Sequence, residues 1–356
     1  MIQLPTPKEP SQAIRRVAIT AVGAYLPDRV LSNDDLERMV DTSDEWIRER
    51  TGISERRIVD KGTGCSFLAS RAAQDALRRR GITADDIDLI VVATVTPDMS
   101  FPATACLVQD QIGASRAWGF DLSAACSGFN FALAAGTQFV ASGAAERALV
   151  IGADVMSSIT DYEDRATCIL FGDAGGAVLL EAAQDGEGIL GFNNQVDGSG
   201  CDLLKMPAGG SIRPPTHETV ERKEHYLQQQ GKAVFRFAVR NSADAAEKLL
   251  AELGFSRDEV SFLVCHQANA RIIDAVARRL QLPPERVVKT IHKYGNTTAA
   301  SIPTALRDAL DRALLAPGDL VLFSSVGAGL TIGTAAIRWG GERTAPASAE
   351  TNSTGP

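Results

Sequence analysis

The chain has 356 residues, of which 45% are hydrophobic and 22% are charged, as in a globular protein that buries a large core in two domains or one double-sized unit. Its formal net charge of −8 argues against a general nucleic-acid binder. Neither a bilayer-spanning apolar run nor a signal peptide is visible, so no membrane partner is expected.

Six cysteines are scattered along the chain, and no two of them form a C-x-x-C pair. In a chain of this length, that spacing indicates reduced thiols rather than a disulfide framework or a zinc site. A cytoplasmic location is therefore expected.

The chain alternates between β-type and helical patterns, with a predicted loose leader at 1–12 and a predicted disordered tail at 340–356. Continuous apolar strands between helices predict α/β layering, with sheets that are covered on both faces. The predicted strands are 17–22, 87–95, 117–122, 148–153, 176–180, 262–265, 287–291, 320–325 and 330–337. The predicted helices are 67–80, 104–112, 129–142, 233–253, 268–280 and 299–314.

The two parts of the chain also resemble each other. Residues 77–92 and 250–265 both read as a helix, a glycine, an acidic turn and an apolar strand, and the equivalent glycines Gly81 and Gly254 are 173 residues apart. A second pair of segments repeats at nearly the same shift, which predicts a duplicated domain. The predicted halves are 13–185 and 186–339.

Cys126 lies in the segment Asp121-Leu-Ser-Ala-Ala-Cys-Ser-Gly-Phe-Asn130, between a β-like run and an apolar helical run. This context places a thiol at a strand-to-helix turn among small residues. A helix N-terminus favours the thiolate and offers backbone N–H groups to an oxyanion, and small neighbours leave room for an acyl group. The alternative is a small buried side chain, which most free cysteines are.

Two more polar residues stand at comparable places. His266 follows the strand 262–265, and Asn296 lies in a turn that corresponds roughly, by the repeat, to the turn of Cys126. Strand ends at one sheet edge converge on a crevice, so the three side chains can meet. A thiol, an imidazole and a carboxamide suit covalent acyl transfer followed by stabilisation of an enolate. An inert histidine and a simple turn residue are the alternatives.

Seven segments stand out in order along the chain. They are Val40-Asp-Thr-Ser-Asp-Glu-Trp-Ile47, Arg50-Thr-Gly-Ile53, Asp121–Gly128, Asp164-Arg-Ala-Thr167, Phe171-Gly-Asp173, His266-Gln-Ala-Asn-Ala-Arg-Ile-Ile273 and Tyr294-Gly-Asn-Thr-Thr-Ala-Ala-Ser-Ile-Pro303. This ordered set resembles the thiolase-superfamily condensing enzymes, and most closely the β-ketoacyl-[acyl-carrier-protein] synthase III family, which initiates bacterial fatty-acid synthesis. The resemblance implies a thiolase-like five-layered αβαβα fold from two duplicated halves, and a homodimer.

The resemblance also implies a mechanism. Cys126 would be the nucleophile that takes an acyl group from acyl-CoA, and His266 and Asn296 would hold the thioester carbonyl of malonyl-acyl-carrier protein while it loses CO2. The resulting carbanion would attack acyl-Cys126 and give 3-oxoacyl-acyl-carrier protein. The backbone N–H groups of Cys126 and Ala328 would bind the oxyanion, although relatives often have glycine at the position of Ala328. No cofactor is implied, since acyl-CoA is a substrate.

Further positions match the family's substrate contacts. Trp46 and Arg165 resemble the pair that holds the CoA adenine, and the alternative for Trp46 is a core anchor of the helical turn Ser43–Arg50. Less specific matches to CoA or pantetheine contacts are Thr42, Arg50, Phe235 and Asn269. A basic patch for an acidic carrier protein is implied for Arg236, Arg271, Arg278 and Arg279, where a solvated helix face is the alternative.

Two residues bear on the acyl group. Phe101 matches a residue that reaches across the dimer into the partner's acyl pocket. Val326 stands where relatives often have phenylalanine, so the pocket is expected to be wider and to accept a branched starter or one longer than acetyl. The segment 207–230 is longer than its counterparts and has no assigned role.

Two alternative functions stay open from the sequence. The enzyme could pass the acyl group from Cys126 to an oxygen or nitrogen of a secondary metabolite without decarboxylation. It could also be a catalytically silent homologue that binds CoA or a carrier protein. The presence of Cys126, His266 and Asn296 together argues against the silent homologue, but it does not separate condensation from transfer.

Overall fold

The computed structural model describes residues 14–344. The predicted leader and the outer part of the predicted tail, 345–356, lie outside the described residues. The first residues of that predicted tail are bound to the body of the protein: Glu342 accepts hydrogen bonds from Arg307 Nη1 at 2.7 Å and from the backbone N–H of Val22 at 3.1 Å. The predicted start of the tail at residue 340 is therefore too early.

The described residues form thirteen strands and ten α-helices. The strands are β1 Val17–Tyr25, β2 Val30–Ser32, β3 Glu55–Arg57, β4 Leu89–Ala93, β5 Trp118–Leu122, β6 Ala148–Asp154, β7 Ala174–Ala182, β8 Gly188–Val196, β9 Leu204–Lys205, β10 Gln228–Gln229, β11 Phe262–Cys265, β12 Leu320–Gly327 and β13 Thr331–Arg338. The helices are α1 Asn33–Glu37, α2 Asp44–Thr51, α3 Cys65–Arg80, α4 Thr104–Ile112, α5 Gly128–Ala141, α6 His217–Glu221, α7 Gly231–Leu253, α8 Ala270–Arg279, α9 Ile291–Tyr294 and α10 Ser301–Asp311. Among residues 14–344, none of the helices combines the length and the apolar character needed to cross a bilayer.

Each half contributes one large sheet. The first has the strand order β1-β7-β6-β4-β5, and the second has the order β11-β12-β13-β8. β4 runs parallel to β5 and β6, and β11 runs parallel to β12. The predicted boundary between the halves falls between β7 and β8. The carboxyl ends of the parallel strands in each sheet share one edge, and the residues that follow them can converge.

Neighbouring residues of the central strands face opposite cores. Val91 and Phe323 lie in a core that also contains residues of α5 and α10, so these two helices form a layer between the sheets. Ile90 packs on the other side with α3 and α4, and Leu322 packs outward with α7 and α8. Both faces of each sheet are covered, which explains the continuous apolar strands. The predicted αβαβα fold is confirmed.

The duplication is visible in local geometry. α3 and α7 both end at a glycine in the left-handed conformation, Gly81 with φ 73° and Gly254 with φ 77°, and a 3-10 turn leads from each to a buried strand. Ala125 and Thr298 each open a 3-10 turn directly before a central helix, with φ 48° and 47°. Both pairs are 173 residues apart.

One predicted strand, 287–291, is wrong. Val287 forms only an isolated bridge with Leu263, and the chain continues into α9. The side chain of Gln267 takes the place of a neighbouring strand: its Oε1 accepts from the N–H groups of Thr290 and Ile291, at 2.8 and 3.1 Å. A side-chain clamp therefore satisfies backbone groups that the apolar pattern assigned to a sheet.

Candidate active site

A cavity of about 580 Å³ brings residues of both halves together. Cys126, His266 and Asn296 all line it, although they are far apart in the sequence. The predicted substrate contacts Trp46, Arg50, Phe235, Asn269, Arg236, Arg271 and Val326 line it too. Further lining residues include Thr51, Ala166, Ile169, Leu170, Phe171, Leu204, Gln229, Lys232, Val234, Ala238 and Ile272.

Cys126 lies in the 3-10 turn that connects β5 to α5. The turn is tight because Ala125 takes a left-handed φ and because small residues surround it. A Cβ added to Gly327 would lie 2.7 Å from the Cys126 backbone nitrogen, so only glycine allows this strand to approach the nucleophile turn. Cys126 is 8% exposed, and it is one of the residues that line the cavity.

The electrostatics of the thiol reverse one expectation. Burial raises the pKa of Cys126 to about 12, and the carboxylate of Asp154 adds to the rise, while the backbone N–H of Cys126 opposes it. The predicted preference for thiolate is therefore wrong, because desolvation of the charged form outweighs the N–H groups of the turn.

His266 directly follows β11, and its backbone N–H donates to the carbonyl of Ser324 at 2.8 Å. The ring is buried, with Nδ1 lying 3.0 Å from the hydroxyl of Ser301. Burial lowers the pKa of His266 to about 3, and a hydrogen bond with the Thr298 backbone opposes the shift. The imidazole is neutral near pH 7, and its ring lines the cavity together with Cys126.

Asn296 is held by its backbone and by its amide. Its N–H donates to the carbonyl of Leu170 at 2.8 Å, and its carbonyl accepts from the N–H of Gly172 at 3.0 Å. The side-chain oxygen accepts from the N–H of Thr298 at 3.0 Å. A backbone N–H can only donate, so the carboxamide atom that faces Thr298 is the oxygen. The NH2 group of Asn296 is therefore the end of the amide that can donate to a ligand in the cavity.

The backbone around Asn296 requires glycine at two places. Gly295 has φ 65° and ψ −159°, a conformation that L side chains rarely adopt. A Cβ on Gly172 would lie 2.4 Å from the carbonyl oxygen of Tyr294. These contacts give a physical reason for the glycines in Phe171-Gly-Asp173 and in Tyr294-Gly-Asn296.

Trp46 marks the cationic side of the cavity. The guanidinium of Arg165 lies 4.9 Å from the indole centroid and that of Arg50 lies 5.4 Å away. The Ser43 side chain caps α2 by accepting from the Trp46 N–H at 3.1 Å, and Arg165 donates to Asp41 at 3.1 Å. Arg165 stacks directly on the indole, so an adenine between the two requires the guanidinium to swing away.

The predicted contacts nearer the cavity centre are also held in place. Asn269 caps α8 by accepting from the Arg271 N–H at 2.9 Å, and its amide donates to the carbonyl of Arg50 at 3.0 Å. Arg271 lies over the ring of Phe235 at 5.7 Å. Thr42 does not line the cavity; its buried hydroxyl has no hydrogen-bond partner among the described residues.

Several predicted residues lie away from the cavity of this chain. Arg278 and Arg279 do not line it, and Arg279 donates to Asp244 at 2.5 Å, so its charge is already paired. Phe101 is 84% exposed and does not line the cavity of its own chain. Ala328 lies in the β12–β13 turn, outside the lining, and is not among the described residues with a positive φ.

Sequence reasoning missed other residues that shape the site. Leu204 and Gln229, from the small β9–β10 hairpin, line the cavity, and so does Phe171. The pairing of β9 with β10 closes a loop over residues 206–227, so most of the long segment 207–230 is held between two strands that contribute to the cavity lining. Ser301 and Asp154 were missed as well. Ser301 stood in a quoted motif, whereas Asp154 has only the signal of a carboxylate that ends an apolar strand.

Comparisons with known proteins agree with this geometry. A family model described as 3-oxoacyl-[acyl-carrier-protein] synthase III matches residues 120–198, and one described as its C-terminal part matches 250–339. The chain is 53% identical over 329 residues to the β-ketoacyl-[acyl-carrier-protein] synthase III of Koribacter versatilis, covering 92% of this chain and 99% of that protein.

Solved structures match over a similar length. The 3-oxoacyl-[acyl-carrier-protein] synthase III of Aquifex aeolicus is 43% identical, with a TM-score of 0.84, covering 91% of this chain and 100% of that one. The enzyme of the same description from Pseudomonas aeruginosa is 41% identical, with a TM-score of 0.85, covering 93% and 100%. The similarity therefore extends over nearly the whole described fold.

Proposed function

This chain belongs to the β-ketoacyl-[acyl-carrier-protein] synthase III family, the condensing acyltransferases that initiate fatty-acid synthesis, and on that premise we propose the substrates and the role of each cavity side chain. Cys126 takes an acyl group from acyl-CoA, and malonyl-acyl-carrier protein supplies the two-carbon extender. The observation that carries the proposal is the meeting of Cys126, His266 and Asn296 on one cavity, with the carboxamide NH2 of Asn296 left for a ligand.

The first half-reaction is acyl transfer to sulfur. Sulfur of Cys126 attacks the thioester carbonyl, the bond to the CoA sulfur breaks, and the thiol proton leaves with the CoA thiol. The backbone N–H groups of Cys126 and Ala328 stabilise the tetrahedral oxyanion. Because burial and the carboxylate of Asp154 raise the pKa of the thiol, proton loss accompanies attack rather than preceding it.

The second half-reaction forms the carbon–carbon bond. His266 and the NH2 of Asn296 donate to the thioester oxygen of malonyl-acyl-carrier protein, where charge accumulates as CO2 leaves. The carbanion attacks the carbonyl of acyl-Cys126, and the released sulfur takes up a proton. A histidine with its pKa lowered to about 3 suits this role, because it stays a neutral donor over the working pH range.

Condensation is favoured over acyl transfer to oxygen or nitrogen by these two donors. Loading Cys126 needs only the sulfur and its oxyanion site, whereas decarboxylation needs donors at a second carbonyl. His266 and Asn296 line the cavity together with Cys126 and supply that second set. Family membership also favours condensation over the silent homologue.

The enzyme should therefore release CO2 from malonyl-acyl-carrier protein and extend an acyl-CoA starter by two carbons. We expect 3-oxoacyl-acyl-carrier protein by mass spectrometry, in EDTA-treated buffer, since the proposal draws on no metal or redox cofactor. A panel of straight and branched acyl-CoA starters tests the wide pocket expected at Val326. Absence of both CO2 and extended product over the whole panel would reject the proposal.

We propose separate recognition of CoA and of the carrier protein. The adenine belongs to CoA alone, and Trp46 with Arg165 fits a flat base next to a cation. Arg236, Arg271 and Lys232 are three cationic residues of the cavity lining that an acidic carrier protein would approach. The paired charge of Arg279 makes it a weaker contributor than the sequence suggested.

Two variants separate these contacts, and each is the control for the other. Trp46→Ala should raise KM for acyl-CoA about tenfold, through loss of roughly 1–2 kcal/mol of stacking, and should leave KM for malonyl-acyl-carrier protein unchanged. Arg271→Glu should do the reverse and become more severe at low salt. Steady-state kinetics with each substrate varied will measure both constants. Equal effects of either variant on the two substrates would contradict the assignment.

We also propose a homodimer. β5 is an edge strand of its sheet, and it carries Trp118, which is 48% exposed and packs against Phe120 and Phe139 with centroids 6.1 and 5.3 Å away. An apolar edge of this kind is a ready surface for a second copy. Phe101 would then reach the partner's cavity.

Sedimentation velocity should give a species of twice 37.8 kDa, and a species of the monomer mass would contradict the proposed homodimer. A cytoplasmic location stays a prediction that cell fractionation tests.

A further inference from the structure

Asp154 is a fully buried carboxylate at the end of β6, and it does not line the cavity. No cation pairs with it among the ion pairs and hydrogen bonds of residues 14–344. Burial raises its pKa, and the hydrogen bonds that it accepts oppose the rise. An unpaired buried carboxylate is costly unless donors surround it, so its partners indicate what it holds in place.

The two carboxylate oxygens bind different halves of the protein. Oδ1 accepts from the segment that directly follows β4. Its donors are the backbone N–H of Val95 at 2.8 Å and the hydroxyls of Thr94 and Thr96, each at 3.0 Å. Oδ2 accepts from the hydroxyl of Thr298 and from the backbone N–H of Ala299 at 3.2 Å. Asp154 therefore ties the strand ends of the first half to the turn before α10.

That turn positions Asn296. Thr298 has a left-handed φ of 47°, which is uncommon for a β-branched residue and needs outside support. Its hydroxyl bonds Asp154, and its backbone N–H donates to the side-chain oxygen of Asn296 at 3.0 Å. A continuous path of hydrogen bonds thus runs from Asp154 through Thr298 to the carboxamide.

The duplication allows the turn before α10 to be compared with the turn of Cys126 in the first half. The residue 173 positions after Cys126 is Ala299, and the residue 173 positions after Asp154 is Gly327. Gly327 has no side chain to place against the Cys126 backbone nitrogen, whereas Asp154 places a carboxylate on the equivalent nitrogen of Ala299. The turn before α10 is therefore capped by a carboxylate, and the equivalent position at the Cys126 turn carries no side chain.

We propose that Asp154 is a positioning residue: it caps the turn before α10 and holds Thr298 so that the carboxamide of Asn296 presents its NH2 group to the substrate. This rests on the proposed role of Asn296 in decarboxylation. Asp154 touches no reacting atom, so its effect falls on the half-reaction that uses Asn296. The loading of Cys126 does not depend on this path.

The charge of Asp154 adds an independent readout. Asp154 is the carboxylate that raises the pKa of the Cys126 thiol. The other ionisable side chains that line the cavity with Cys126 are His266, Arg50, Lys232, Arg236 and Arg271. His266 is neutral, so removing the charge of Asp154 lowers the pKa of the thiol. At a fixed pH below that pKa, the thiolate fraction and the rate of alkylation both increase, by roughly tenfold for each pKa unit.

The test is Asp154→Asn in the full-length enzyme. We expect decarboxylation of malonyl-acyl-carrier protein to fall at least tenfold in kcat, with KM little changed and with acyl loading retained. Alkylation of Cys126 by iodoacetamide at pH 9 should become faster. Glu181→Gln is the control, because Glu181 is a buried carboxylate bound by Thr20 and Arg80 far from the cavity. It should change neither rate.

A pair of variants at Thr298 covers the case in which Asp154→Asn does not fold. Thr298→Ala should lose decarboxylation as Asp154→Asn does, Thr298→Ser should restore it, and neither should speed alkylation, because the carboxylate stays. The proposal would be overturned if Asp154→Asn decarboxylated malonyl-acyl-carrier protein at the wild-type rate. It would also be overturned if Thr298→Ala lost both half-reactions equally and Thr298→Ser did not restore them. A wild-type enzyme that releases no CO2 would instead reject the proposed function, whereas the alkylation result would still report on the charge of Asp154.

Discussion

Cys126→Ala is expected to abolish the acyl-enzyme completely. The thiol is the nucleophile of the loading step, and the cavity offers no second sulfur in its place, since Cys126 is the one cysteine among its lining residues. After incubation with acyl-CoA, intact-protein mass spectrometry should show one added acyl group on the wild type and none on the variant. The loss in kcat should be on the order of 10⁶-fold, the size that follows removal of the nucleophile from a covalent mechanism.

The Cys126→Ala variant should keep one of the two half-reactions, the decarboxylation. His266 and Asn296 are untouched, so Cys126→Ala should still decarboxylate malonyl-acyl-carrier protein, giving acetyl-acyl-carrier protein without chain extension. Cys106→Ala is the control, because Cys106 is exposed on α4 and should load normally. An acyl mass on Cys126→Ala would mean that the nucleophile has been misassigned.

His266→Ala and Asn296→Asp are expected to reverse this pattern. Each removes one donor from the thioester oxygen, and loss of one oxyanion donor costs roughly 100- to 1,000-fold in kcat. Aspartate at 296 is nearly isosteric, but it places a carboxylate where negative charge develops, so it should be at least as damaging as alanine. Both variants should load Cys126 at the wild-type rate, because the loading step does not use these donors.

Single-turnover assays measure the two half-reactions separately, with burst release of CoA for loading and labelled CO2 for decarboxylation. His217→Ala is the matched control, since His217 is an exposed histidine on α6 and should change neither step. If His266→Ala lost loading and decarboxylation equally, His266 would act in activation of the thiol instead. That outcome would conflict with its low pKa, which makes it a poor base.

Much of the fold could be predicted because its helices and strands have strong local patterns. The helices α4, α5 and α7 begin and end within about two residues of the predicted bounds, since apolar periodicity and the glycines at their C-termini are local features. The strand β8 and the short β9–β10 hairpin were not predicted. Their formation depends on partners in distant parts of the chain rather than on their own residues.

The candidate site divides in the same way. Cys126, His266 and Asn296 were found because each stands at an element end with a chemically distinctive side chain. The direction of the thiol's pKa shift was missed, because desolvation depends on burial and on a carboxylate 28 residues further along the chain. The pairing of Arg279 with Asp244 was missed for the same reason.

By itself, the sequence determined the layered α/β architecture, the duplication and the three residue types that suit acyl transfer and decarboxylation, because these depend on periodicity, spacing and chemical identity. Only the tertiary structure decided which groups share a cavity, which side of the Asn296 carboxamide faces it, and how far Asp154 and burial oppose ionisation of Cys126. Those properties depend on distances and on the local dielectric, which arise when the two halves pack against each other.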